Sequence, residues 1–159
     1  MMRLTSILFL FMLAVPLCPA PLNAAESEFE AFLTHFDYEM RDEMKTSSKE
    51  LIQLLVSDKG VMVDIRFPEE VAAWRMGFGL AIPLNELPRR LQELPKDKII
   101  VAACPHKDRS AIAMAYLRSK GYNATYLTDG LLGLAEQLRG DRAQDFMEEL
   151  ARVKTKAKP

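Results

Sequence analysis

The sequence predicts an α/β fold, a parallel sheet with helices on both faces, and three observations carry that reading. Short apolar runs of strand length, among them Val61-Met62-Val63-Asp64-Ile65 and Ile99-Ile100-Val101-Ala102-Ala103, alternate with stretches of helical periodicity. Runs of that length and composition suit strands covered on both sides, which is where parallel strands sit. The second apolar run drives straight into Cys104, a short polar loop follows, and an apolar helical pattern begins at Ala111. Turn-forming clusters, Ser57-Asp58-Lys59-Gly60 and Pro95-Lys96-Asp97, fall between the two kinds of segment.

Taken in order, Phe29, Phe32, Leu33, Phe36 and Met40 recur at helical spacing and predict one amphipathic N-terminal helix. Ser47-Ser48-Lys49-Glu50 is a capping-box pattern that opens a second helix through Leu51, Leu54 and Leu55. After the Val61–Ile65 strand, Pro68-Glu69-Glu70 puts proline and acids in a favourable first turn, ahead of Val71, Ala72 and Trp74. Trp74 is expected in the core. Met76 to Leu84 reads as a loop and a short strand. Asn85 is expected to cap a helix carrying Leu87, Leu91 and Leu94. The Ile99–Ala103 strand, the Cys104 loop and a long apolar helix ending at Gly121 come next. Ala124-Thr125-Tyr126-Leu127 is a further strand, Asp129-Gly130 turns into a helix from Leu131 to Leu138, and Phe146, Met147, Leu150 and Val153 mark a last amphipathic helix.

Functional residues in such a sheet belong at the carboxyl ends of strands, where Cys104, Asp64 and Asp129 lie. A strand, loop and helix in that order gather backbone N–H groups and the positive end of a helix dipole around one point, which suits an anion. A cysteine there is expected as thiolate, its nucleophilic form. Glycine-rich phosphate loops are absent, and the two histidines with Cys104, the cysteine that follows residue 25, cannot build a structural zinc site.

Residues 1–25 have the layout of a secretory signal peptide: Arg3, an apolar run from Leu4 to Leu17, and a small-residue ending at Ala24-Ala25. The apolar run is short for a bilayer span, which needs roughly 20 residues. Cleavage after Ala24 or Ala25 is the expectation, with a periplasmic or secreted product that meets the membrane only during export. Cys18 would leave with the signal, and Cys104 would remain as a lone cysteine, free of any internal disulfide. About 134 residues would remain, enough for one domain. A net charge near −2 for that mature chain gives no reason to expect nucleic-acid binding. The basic stretch Arg152 to Lys158 is expected to be a solvated terminus.

Read together, several of these segments resemble the rhodanese (sulfurtransferase) family. The matching residues are Val61 to Arg66, Glu70 and Trp74, and Ala81-Ile82-Pro83-Leu84. They continue with Ile99 to Cys104, Arg109-Ser110, Gly121-Tyr122 and Asp129-Gly130-Leu131. The resemblance implies a three-layer domain over residues 44–140 with a five-stranded parallel sheet. It leaves 26–43 as an N-terminal helical extension and 141–159 as a C-terminal helix and basic tail, either of which could support a homodimer.

It also implies that Cys104, at the base of a six-residue loop closing on Arg109, accepts a sulfane sulfur as a persulfide. The donor would be thiosulfate, a persulfide or a polysulfide. The acceptor would be cyanide, a thiol or a protein, and no metal or cofactor is needed. Within the loop, Lys107 and Arg109 would bring positive charge to a dianionic donor. Arg109 could equally hold the loop through carbonyls or a carboxylate. Pro105 and His106 line the loop, His106 facing either anions or water. Asp108 and Ser110 are expected to cap the following helix, and Asp64 and Arg66 to form a supporting ion pair.

Two features depart from the family pattern. Lys107 stands where many members carry a loop glycine, and Met76-Gly77-Phe78-Gly79-Leu80 is shorter than the usual segment and lacks its histidine. A sulfur carrier without turnover would read the same way. A phosphatase or arsenate reductase of the same fold would carry a loop one residue longer.

Overall fold

The computed structural model describes residues 27–156. The signal-peptide expectation for residues 1–25, the position of Cys18 and the end of the basic tail lie outside the described residues. Five parallel strands, β1 (Lys45–Thr46), β2 (Gly60–Asp64), β3 (Leu80–Ala81), β4 (Ile99–Ala103) and β5 (Ala124–Leu127), form one sheet in the order β1-β5-β4-β2-β3. Seven α-helices surround it among the described residues: α1 (Glu28–Thr34), α2 (Tyr38–Glu43), α3 (Ser48–Val56), α4 (Pro68–Ala73), α5 (Asp108–Ser119), α6 (Gly130–Gln137) and α7 (Asp141–Lys156). The α/β class and the layered parallel sheet agree with the sequence reading.

Alternation along the central strands sets the layers, because successive side chains of a strand point to opposite faces. On β4 and just beyond it, Ile100, Ala102 and Cys104 join one buried cluster with Leu117 and Met114 of α5. Val101 and Ala103 join the other, with Leu51 of α3, Leu131 and Leu134 of α6, and Phe146 and Leu150 of α7. Cys104 therefore belongs to the α5 face. Each fully buried aliphatic side chain contributes about 1.5–3 kcal/mol, and the central β2–β4 pair carries them on both sides.

Local chemistry explains the helix starts. Ser47 accepts from the Glu50 N–H and Glu50 accepts from the Ser47 N–H, so the predicted capping box opens α3. Such a cap is worth about 1 kcal/mol. At the N-terminus the single predicted helix is two. Asp37 is extended, with φ at −131°, and its carboxylate takes the Met40 N–H at 2.9 Å, so a new helix starts there. α1 packs on α5, where Lys120 pairs with Glu28, and leaves Phe29, Leu33 and Phe36 exposed.

The helix expected after Asn85 is instead a pair of 3-10 turns, Leu87–Arg89 and Leu91–Glu93. Pro88 has no N–H to donate, and Arg90 pins the segment through Glu86 and Glu93. Leu87 and Leu94 are buried all the same. The edge strand β1 is only two residues long and has no counterpart in the periodicity of the sequence.

Candidate active site

The carboxyl ends of β2, β4 and β5 bring Asp64, Cys104 and Asp129 to one end of the sheet. Cys104 is fully buried and is the free cysteine among the described residues. Its Sγ lies 3.7 Å from Ser110 Oγ and 3.9 Å from Asp108 Oδ1. Above it, His106, Lys107 and Asp108 are exposed, while Pro105 and Arg109 are half-buried. The backbone N–H groups of His106, Lys107, Asp108 and Arg109 have no acceptor among the described residues. The loop thus offers unspent donors at the positive end of the twelve-residue α5.

Helix α6 supports the loop from one side. Leu131 N donates to Cys104 O at 2.8 Å and Leu132 N to Pro105 O at 3.3 Å. Gly130 makes that approach possible: its φ is +64°, and a Cβ there would fall 2.2 Å from His106 O and 2.3 Å from Pro105 O. Only glycine combines that backbone with that closeness. Asp129, beside it, accepts from Ser48 N at 3.0 Å and so ties the start of α3 to the start of α6.

Helix α4 supports the loop from the other side. Arg109 donates to Glu70 in bidentate fashion, Nη1 to Oε2 at 2.6 Å and Nη2 to Oε1 at 2.8 Å. Those bonds hold the Glu70 carboxyl down at about 2, against an ordinary 4.5. They also raise Arg109, with smaller electrostatic contributions from Cys104 and Asp108. The guanidinium of Arg109 is therefore already matched by a carboxylate.

Arg66 anchors α4 in turn. Fully buried, it donates from Nη2 to Asp64 Oδ2 at 2.6 Å and to Trp74 O at 2.9 Å, and from Nε to Asp64 Oδ1 at 2.9 Å. Its Cζ sits 3.9 Å from the Trp74 ring centroid. Trp74 is accordingly not a core residue. It is 37% exposed and lies over the buried guanidinium as a lid.

Two expectations for the loop are corrected. α5 starts at Asp108, earlier than the apolar pattern, so its N-cap is Lys107 and has no side-chain bond. Asp108 and Ser110 sit inside the first turn instead. Ser110 Oγ donates back to Lys107 O at 2.9 Å, and Asp108 directs its carboxylate at the sulfur. Glu70 and Gly130 were not among the sequence-derived site residues. Glu70 shows only a first-turn acid locally, because its partner is 39 residues away. Both stand among the residues that carry the family resemblance, and Gly130 also in the Asp129-Gly130 turn, but neither signal says which atoms they approach.

The family profile of the rhodanese-like domain matches residues 47–137, more than half of the chain. The chain belongs to the rhodanese-like domain family. Among curated relatives, a sulfurtransferase of Allochromatium vinosum is 40% identical over 76 residues, 47% of this chain and 71% of that one. The thiosulfate sulfurtransferase GlpE of Ectopseudomonas mendocina is 30% identical over 88 residues, 55% of this chain and 81% of that one. Among solved structures, the human single-domain sulfurtransferase TSTD1 matches with a TM-score of 0.54 and 28% identity, covering 59% of this rhodanese-like chain and 96% of its own. These relatives support a rhodanese-type sulfurtransferase at modest identity.

Proposed function

We propose that this rhodanese-like protein is a sulfurtransferase that carries a sulfane sulfur on Cys104 as a persulfide. The observation that carries the reading is the placement of a buried cysteine at the end of β4, beneath loop N–H groups with no other acceptor. In the first half-reaction the Cys104 thiolate attacks the outer sulfur of the donor. The donor's sulfur–sulfur bond breaks, its electron pair leaves on the donor remnant, and Cys104 holds the persulfide. In the second, cyanide or a thiolate attacks that outer sulfur, the new sulfur–sulfur bond breaks, and Cys104 returns as thiolate. Neither half needs an external oxidant or reductant.

The protein's contribution is placement and charge. The N–H groups of His106 to Arg109, which have no acceptor among the described residues, donate to the sulfane sulfur as negative charge builds on it. Glu70 and Arg66 fix α4, α4 fixes Arg109, and Arg109 with Gly130 fixes the loop. Burial of the sulfur favours a donor whose reacting end is a single narrow sulfur atom over a bulky phosphate ester. Thiocyanate formation from a sulfane donor and cyanide, measured beside Cys104→Ser, tests the reading. Turnover that requires Cys104 supports it, and turnover equal in both proteins contradicts it.

A further inference from the structure

We infer that Asp108 selects the sulfur donor, favouring an organic persulfide, R–S–SH, over the dianion thiosulfate. The inference rests on the sulfurtransferase reading above and concerns which substrate class that same site takes.

The charge balance of the loop points there. Arg109 is spent on Glu70, at 2.6 and 2.8 Å, and does not add net charge to the site. Lys107 is the loop lysine left without a carboxylate partner among the described residues. Next to it in the chain, Asp108 is exposed while its Oδ1 lies 3.9 Å from the buried Sγ. The formal charges of Glu70, Lys107, Asp108 and Arg109 cancel, and an anionic oxygen, Asp108 Oδ1, lies 3.9 Å from the nucleophile. Thiosulfate would have to bring two negative charges alongside that carboxylate, and like charges at such a distance oppose each other.

A persulfide meets the same carboxylate favourably. Its terminal sulfur is electrophilic only while it bears its proton, since the ionised form is a nucleophile. A carboxylate beside the terminal S–H accepts its hydrogen bond and opposes its ionisation. The balance is closed: Cys104 thiolate attacks the S–H sulfur, the R–S bond to that sulfur breaks, and Cys104–S–SH and RS⁻ form. The thiolate RS⁻ then takes up the proton that Cys104 had released to solvent. The S–H of the enzyme persulfide occupies the place facing Asp108 Oδ1, which keeps its outer sulfur open to the next acceptor.

The test is the second-order rate at which the reduced protein gains one sulfur, read by intact mass, from glutathione persulfide and from thiosulfate. The native protein is expected to favour the persulfide by about tenfold or more, and Asp108→Asn to reduce that preference by about tenfold, chiefly by accelerating thiosulfate. Asp108→Ser, which keeps a small polar residue in the first helical turn, is expected to behave as Asp108→Asn and guards against a folding defect in one variant. Equal or faster loading of the native protein from thiosulfate overturns the inference and leaves sulfur transfer standing. An unchanged preference in both folded variants also overturns it. Loading from neither donor overturns both this inference and the sulfurtransferase reading.

Discussion

Glu70 shows how a single side chain earns its place through a partner far along the chain. Its carboxyl is held at about 2 rather than 4.5, first of all by the Arg109 hydrogen bonds. A carboxyl depressed in the folded state stabilises fully above its ordinary value and loses that contribution as pH falls through the folded value. Stability of the native protein is therefore expected to decline between pH 4.5 and about 2 more steeply than that of Glu70→Gln, as read from denaturation midpoints. Parallel pH profiles would show that the pair contributes nothing to the fold. The Asp64–Arg66 pair was legible in the sequence because its members stand two residues apart at a strand end. Glu70 was not, since nothing within one turn of it announces Arg109. Trp74 was misjudged because aromatic size suggests burial, whereas here the ring covers a buried guanidinium from outside.

At the scale of elements, the strands β2, β4 and β5 were readable because strands covered on both faces must be continuously apolar. The 3-10 turns after Asn85 were not. Leu87, Leu91 and Leu94 keep helical spacing, yet the segment closes as two 3-10 turns held by the Arg90 pairs with Glu86 and Glu93. The N-terminal pair of helices failed for a related reason: the capping carboxylate of Asp37 interrupts an apolar stripe that continues in sequence. The junction of β5 and α6 matters most for the site. Gly130→Ala would force a side chain into a left-handed backbone, at a cost of about 1–2 kcal/mol, and press its Cβ onto the carbonyls of Pro105 and His106. The variant is expected to lose sulfur loading at Cys104 at temperatures where circular dichroism shows it folded. Full loading by a folded Gly130→Ala would mean that the loop does not depend on that contact.

Across the whole molecule, the carboxyl end of the sheet that carries Cys104 is held from both flanks, by α6 through backbone bonds and by α4 through the Glu70–Arg109 pair. Helix α7 lies beyond the segment matched by the family profile, yet it closes the opposite face. Phe146 packs edge-on against Phe78 at 5.0 Å and is buried with Leu150 against α3. Phe146→Ala is expected to cost about 3 kcal/mol of stability while leaving the rate of sulfur loading unchanged below its melting transition. A change in that rate with stability intact would place α7 in the active-site machinery rather than the scaffold. The measurement that bears most directly on the account is the intact mass of the reduced protein after a sulfane donor, beside Cys104→Ser. One added sulfur on the native protein, absent from the variant and removed by cyanide, is the predicted result. A native protein that gains no sulfur from persulfide or thiosulfate, or a variant that gains it equally, would contradict sulfur transfer through Cys104.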